Sequence, residues 1–121
     1  DKDCLSMPMA VLVNRDSYSA AEFFAVALQE YDWATVIGTG TSGKGYYQNT
    51  FYLTDGSAIA ISTGEYRTPQ DKSLVGVGIE PDVYVELDSE DYVNQYYGLL
   101  DWQDDEQILA ALDALQTGEG R

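Results

Sequence analysis

Two serines and one lysine carry most of the chemistry that this sequence could perform. Ser17 and Ser19 lie in the stretch Asn14-Arg15-Asp16-Ser17-Tyr18-Ser19-Ala20-Ala21-Glu22, between the apolar runs 10–13 and 23–28. The first run is short and partly β-branched, which reads as a buried strand; the second is long enough for a helix. A serine where strand gives way to helix stands beside unpaired N–H groups and the positive end of the helix dipole. It is either a helix cap or a nucleophile. Ser19-Ala20-Ala21-Glu22 fits a capping box, which satisfies two N–H groups and needs no chemistry. Ser17 competes with Ser19 for either role.

The chain has no histidine, which excludes a Ser-His-Asp triad, a Cys-His pair and a His-ligated zinc site. A serine nucleophile would need another base. Lysine serves when its amine is neutral, which requires burial and distance from carboxylates. Lys44, between Gly43 and Gly45, is the best placed, because small neighbours let the backbone pack closely and let one long side chain point into a cleft. Lys2 falls in a charged tail and Lys72 in a polar Asp-Lys-Ser loop. Gln48 follows Lys44 by four residues. If the chain is extended from Gly45 onward, the two side chains share one face, and a neutral amide orients an amine without re-protonating it.

The loop that carries Lys44 holds two misleading motifs. Gly38-x-Gly40-x-x-Gly43 matches a dinucleotide-binding fingerprint in its letters, but that fingerprint needs a helix after the third glycine. A strand-like run, Tyr46 to Leu53, follows instead. Gly38-x-x-x-x-Gly43-Lys44 also approaches a phosphate-binding loop, yet Gly45 stands where a magnesium-binding Ser or Thr belongs. A nucleotide-binding domain is therefore the weaker rival. Glycines also permit a plain sharp turn between two strands, although such a turn does not ask for a lysine.

Composition narrows the partners. With 121 residues the chain makes one domain or part of one, and 45% hydrophobic residues make it globular. Six Lys and Arg against 21 Asp and Glu leave a net charge of −15, which repels phosphate backbones and anionic membranes. No nucleic-acid partner, cofactor or metal is expected. Much of the acid lies between Asp88 and Glu106 and reads as a solvated face. The single cysteine, Cys4, forms no internal disulfide and reads as a small apolar bystander. No apolar run approaches the 18 or so residues of a membrane-spanning helix, and no signal peptide is present. Opening at Asp1 without an initiator Met, just before a strand, the chain reads as a piece of a longer polypeptide.

The elements that must position these residues follow from pattern. A strand is expected over Ala10 to Asn14, a helix from about Ser19 to Tyr31, and a second strand over Ala34 to Ile37. That is a βαβ unit with a parallel strand pair. Only Glu22, Gln29 and Glu30 are polar within the helix, so most of its circumference should be buried. Asp55-Gly56 signals a turn between a strand over Tyr46 to Leu53 and another over Ala58 to Ser62, extended towards Pro69. Gly76 to Asp82 is irregular, and Val83 to Leu87 alternates as a last strand. From Asp104 an amphipathic helix is expected, with Ile108, Leu109, Leu112 and Leu115 at helical spacing and Asp104 with Gln107 as its cap.

Taken in order, these motifs resemble the C-terminal processing (tail-specific) serine peptidases. The likeness runs through Val11-Leu12-Val13-Asn14, Ser17-x-Ser19-Ala20-x-Glu22, Gly43-Lys44-Gly45-x-x-Gln48, Asp55-Gly56-Ser57-Ala58, Tyr66-x-Thr68-Pro69 and Gly76-x-Gly78-Ile79-Glu80-Pro81-Asp82. It covers about residues 8 to 87, with a weaker echo in the terminal helix. The resemblance implies an α/β fold of the ClpP/crotonase type, with a βαβ unit, a mixed sheet and a C-terminal helix. It implies a Ser-Lys dyad, and the family's spacing of 25 residues from serine to lysine selects Ser19 over Ser17. Ser19 would be the nucleophile, Lys44 the base, Gln48 the residue that positions the lysine, and the Ala20 N–H an oxyanion donor. Polypeptide substrates and an extracytoplasmic location, the bacterial envelope, are implied as well. A second oxyanion donor and a PDZ domain would lie upstream, so residues 1–121 would be a partial catalytic domain (core 8–87, helical tail 88–121) with weak or no activity alone. An inactive relative serving as a binding or scaffolding module is the alternative. Ser42 and Asp71-Lys72 depart from the family's usual residues next to Lys44 and after Thr68-Pro69, which bears on the substrate cleft.

Overall fold

The computed structural model describes residues 7–118. Lys2 and Cys4 lie outside the described residues. The elements are β1 (Ala10–Val13), α1 (Ala20–Glu30), β2 (Thr35–Gly38), β3 (Tyr46–Tyr52), β4 (Ala58–Glu65), β5 (Val83–Tyr84), α2 (Ser89–Tyr96) and α3 (Glu106–Thr117). The α/β expectation holds, with its parallel and antiparallel parts in separate sheets. A three-stranded parallel sheet has the order β1-β2-β5, and β3 and β4 form an antiparallel pair of their own.

The central strand explains the layering. All four residues of β2 are buried, as a parallel strand covered on both faces should be. Its side chains alternate. Val36 joins Val13, Ala25, Val26, Leu74 and Ile79 in a core beneath α1. Ile37 joins Ala111 and Ala114 in a second core beneath α3. Val13 is paired with Gly38 at the C-terminal end of the β1–β2 ladder. A Cβ at Gly38, whose φ is +126°, would lie 1.9 Å from the Val13 carbonyl oxygen, so only glycine fits there. The irregular approach to β5 is fixed by Asp82. Its carboxylate accepts from the Val36 N–H (2.8 Å) and from Gln29 Nε2 of α1 (2.8 Å), and its own N–H donates to the Val36 carbonyl (2.8 Å).

Several expectations need correction. The polar Glu22 is fully buried, whereas the apolar Phe24 is 64% exposed. The buried stripe of α1 is Glu22, Ala25 and Val26, because the loop that carries Lys44 crosses this helix and supplies hydrogen bonds to the carboxylate. The buried face of α3 is Gln107, Ala111 and Ala114, not the leucines; Leu109 and Leu112 are exposed. Alanine lets the helix axis lie close to the sheet, and a leucine face would hold it off. The α3 cap is Asp105, not Asp104: its carboxylate accepts from the N–H groups of Gln107 (2.9 Å) and Ile108 (3.1 Å). β5 pairs only over Val83–Tyr84, because β2 ends at Gly38. The acidic stretch read as a solvated face contains helix α2, with Asp88 as N-cap and Glu90 and Asp91 in its first turn. Carboxylates there are stabilised by the dipole's positive end. The expected Asp55-Gly56 turn is present, Gly56 having φ +87°, and it joins two strands that are exposed along almost their whole length.

Candidate active site

The turn after β1 separates the two serines. Ser17 closes it: the Asn14 N–H donates to Ser17 Oγ (3.1 Å), and the Ser17 N–H donates to the Asn14 carbonyl (2.9 Å). Ser19 is the N-cap of α1 with φ 57° and ψ −122°. A non-glycine residue in that region carries a strain of about 1–3 kcal/mol and persists only where its surroundings over-determine it. Its own N–H donates to Glu22 Oε2 (2.9 Å), and its carbonyl accepts from the N–H groups of Glu22 (3.0 Å) and Phe23 (3.2 Å). The capping-box relation with Glu22 is present, but the Ser19 hydroxyl is not held by a cap hydrogen bond of full geometry. Ala20 is the first residue of the helix, so its N–H has no partner within it.

Glu22 joins this turn to the glycine loop. Its Oε2 also accepts from the Lys44 N–H (2.9 Å). Its Oε1 accepts from Thr41 Oγ1 (2.5 Å) and from the Gly43 N–H (2.8 Å). One oxygen thus holds the backbones of both Ser19 and Lys44. Four donors around a carboxylate, which only accepts, fully compensate its burial. Thr41 Oγ1 passes the network on by accepting from the Ile79 N–H (2.8 Å), and the Ser42 N–H donates to the Ser17 carbonyl (3.1 Å). This answers the anion-loop motifs physically: the N–H groups that would cradle a phosphate already hold a carboxylate of the chain itself.

Lys44 lies in a tight turn in which the Gly45 N–H reaches the Gly43 carbonyl (3.1 Å). Its side chain is exposed, with Nζ 5.1 Å from the centroid of the Tyr18 ring. That ring belongs to the residue just before Ser19, so the fold gathers Ser19 and Lys44 at one place. Among the described residues no hydrogen bond joins Ser19 Oγ to Lys44 Nζ. Gln48 lies on β3, exposed, next to a register shift between Tyr47 and Gln48. Lys44 is in a turn rather than a strand, and the bulge breaks the alternation, so backbone periodicity does not align Gln48 with it. No hydrogen bond links the two.

A cleft of about 500 Å³ opens beside Lys44, lined by Arg15, Asp16, Tyr18, Ser42, Lys44 and Tyr96. Arg15 Cζ sits 3.9 Å above the Tyr92 ring, and the Tyr92 hydroxyl donates to Asp16 Oδ2. Contact with the Tyr92 side chain raises the Arg15 pKa, and Asp16 and Glu86 add to this against the effect of burial. The departure Asp71-Lys72 lies elsewhere. Lys72 Nζ is 3.4 Å from Glu30 Oε1, and Asp71, with φ 62°, bonds back to the Thr68 carbonyl (2.8 Å).

Sequence reasoning read Glu22 as a cap only and missed its hold on the glycine loop. The available signal was an acidic residue on the face of a helix that the pattern placed in the core. It also passed over Arg15, Tyr18 and the tyrosines of α2, which no local motif connects.

A strained serine thus stands at a strand-to-helix turn, joined through Glu22 to a loop that carries a lysine. Residues 2–85 match the family model of Peptidase family S41, and the chain belongs to that family. It is 46% identical over 79 residues to a carboxyl-terminal-processing protease of Synechocystis sp., covering 65% of this chain and 18% of that protein. Identity is 44% over 77 residues to the chloroplastic carboxyl-terminal-processing peptidase 2 of Arabidopsis thaliana, covering 64% of this chain and 15% of that protein. Among solved structures, the photosystem II D1 C-terminal processing protease superposes with a TM-score of 0.64 at 37% identity, over 67% of this chain and 21% of that one. Mature CPAF superposes with a TM-score of 0.68 over 94% of this chain and 21% of that one; at 24% identity it shows the fold alone. The chain therefore spans under a fifth of the length of these two curated relatives.

Proposed function

We propose that this chain carries the Ser-Lys part of a serine endopeptidase that cleaves proteins near their C-terminal tails, on a ClpP/crotonase-type core. Residues 8–87 form the catalytic core and 88–121 a helical tail. Ser19 Oγ attacks the scissile carbonyl carbon while the neutral Lys44 amine takes its proton. The C–N bond of the tetrahedral intermediate breaks, Lys44 returns the proton to the leaving amine, and an acyl-serine remains. Water, activated by the same amine, then releases the acyl group and restores Ser19. The Ala20 N–H donates to the developing oxyanion, and Gln48 orients the lysine once the site is assembled. One donor is rarely sufficient: removing one elsewhere costs about 2.7–4 kcal/mol of barrier. Residues 1–121 alone are therefore expected to be weakly active or inactive. By the same likeness, the protein works outside the cytoplasm.

The observation that carries this reading is the strained Ser19, held to the backbone of Lys44 through a single oxygen of Glu22. A fluorophosphonate probe on the whole protein tests it. Ser19 should be labelled, the Ser19→Ala variant should not, and Lys44→Ala should lose both labelling and peptide cleavage. An unchanged cleavage rate in Lys44→Ala refutes the dyad. The exposed Lys44, with no hydrogen bond to Ser19, favours the second reading, a binding module that keeps the fold. An unlabelled Ser19 together with intact peptide binding would select it.

A further inference from the structure

We infer that α2, which lies beyond the residues matched to the family, forms a specificity wall: Tyr96 and Tyr18 frame a subsite for a bulky apolar side chain flanking the scissile bond. The inference rests on the peptidase reading for the term scissile bond, and on the geometry for the rest. The 500 Å³ cleft is lined by Lys44 and by Tyr18, the residue next to Ser19 in sequence, so on the peptidase reading it lies beside the path of a peptide bound at Ser19. Tyr18 is 57% exposed and Tyr96 68% exposed. Aromatic faces at this exposure contribute apolar contact with little loss of side-chain freedom. Val93, Tyr96 and Tyr97 continue the surface as an exposed helix face at i, i+3 and i+4 spacing.

The wall is anchored at both ends. Tyr92 stacks under Arg15 and donates to Asp16, tying α2 to the turn that presents Ser19. Gln95 Nε2 donates to Asp105 Oδ2 (2.8 Å), tying α2 to the cap of α3. Asp16 offsets the charge of Arg15 at the rim, and Lys44 is the remaining basic residue of the lining. An apolar side chain seated there also removes water from around Lys44. The preference should accordingly appear in kcat as well as in KM.

The test uses the whole protein and a peptide series that varies one residue at a time on each side of the cleaved bond, among Leu, Phe, Gly and Asp. The expected result is a kcat/KM about tenfold or more higher for Leu or Phe than for Gly at one position, the range an apolar pocket supplies. Tyr96→Ala should reduce that ratio to within about twofold, and Tyr96→Phe should keep it. Because Tyr96 is exposed, both variants should keep the native fold, read as unchanged far-UV circular dichroism. The proposal is overturned if Tyr96→Ala keeps the ratio, if no preference exists, or if Asp is preferred and Arg15→Gln abolishes that preference. If Ser19 is unreactive and nothing is cleaved, the peptidase reading fails instead. Fluorescence anisotropy of the same labelled peptides then decides the subsite: tighter binding of the Leu and Phe peptides, lost in Tyr96→Ala, sustains it, and equal binding refutes it.

Discussion

Replacing Glu22 by glutamine removes a charge and one acceptor while keeping the shape. The native carboxylate is fully buried and accepts from Ser19 N and Lys44 N at one oxygen, and from Thr41 Oγ1 and Gly43 N at the other. A glutamine has one acceptor oxygen, so its NH2 must face one of these pairs. The Thr41 hydroxyl can turn to accept and the N–H groups cannot, so the amide should point towards Thr41 and Gly43. The Gly43 N–H then loses its acceptor, which costs about 1–3 kcal/mol. The bonds from Ser19 and Lys44 fall from charge-assisted to neutral strength, about 1 kcal/mol each. The total is roughly 3–5 kcal/mol. That is a large part of the 5–15 kcal/mol typical of a domain. Urea denaturation should show the loss, and amide hydrogen exchange should show it concentrated at Gly43 and Lys44. A loss below about 1 kcal/mol with unchanged exchange at those amides would refute the view that one carboxylate holds the two halves of the site together.

Other substitutions separate strain, charge and capping. Ser19→Gly should leave stability unchanged or raise it by up to about 1 kcal/mol, since glycine adopts φ 57° without strain while adding unfolded-state entropy; a thermal melt that falls by several degrees would show that the hydroxyl, not the strain, matters. Burial pushes the Glu30 carboxyl up, but the Gln70 N–H, Thr68 and Lys72 outweigh it and leave the pKa lowered. Its contribution is therefore present above the ordinary carboxylate range, about 4.3, and is lost as pH falls through the lower folded value. Glu30→Gln should accordingly narrow the stability gap between pH 7 and acid, measured by melts across that range, and an equal acid sensitivity in the two proteins would contradict it. Asp105→Ala should cost about 1–2 kcal/mol through the lost α3 cap, and it should also free α2, read as faster exchange at Tyr92 to Tyr96. Exchange confined to α3 would show that the Gln95–Asp105 bond does not hold the wall.

Much of the frame was legible in order along the chain. Thr35–Gly38 carries the apolar density of a buried parallel strand, whereas Ala10–Val13, expected to be buried as well, buries only Val13 and leaves Leu12 exposed; the helix between them has the length and composition that βαβ units require. The turn at Asp55-Gly56 and the serine at the strand-to-helix junction were equally local signals. Errors fell where burial depends on a distant partner. The leucines of α3 looked like its core face, yet close approach to β1 and β2 selected alanines. Asp104 and Asp105 are indistinguishable as caps until the tie from Gln95 to Asp105 is seen. Helix α2 hid within a run of acid whose charges favour the first turn of a helix as readily as open solvent.

By itself, the sequence determined the chemistry available: no histidine, a junction serine, and a lysine between glycines, in an order that resembles one peptidase family. Residue type and spacing along the chain suffice for that, because they limit which groups can ionise, donate or attack. Only the tertiary structure decided that Ser17 closes a turn while Ser19 is strained. Only it showed that Glu22 faces inward to hold the loop of Lys44, and that Tyr96 of α2 lines the cleft. Each of these depends on which backbone N–H groups a buried carboxylate meets across 20 or more residues, or on which helix faces a turn 76 residues away. No local propensity encodes contacts of that range.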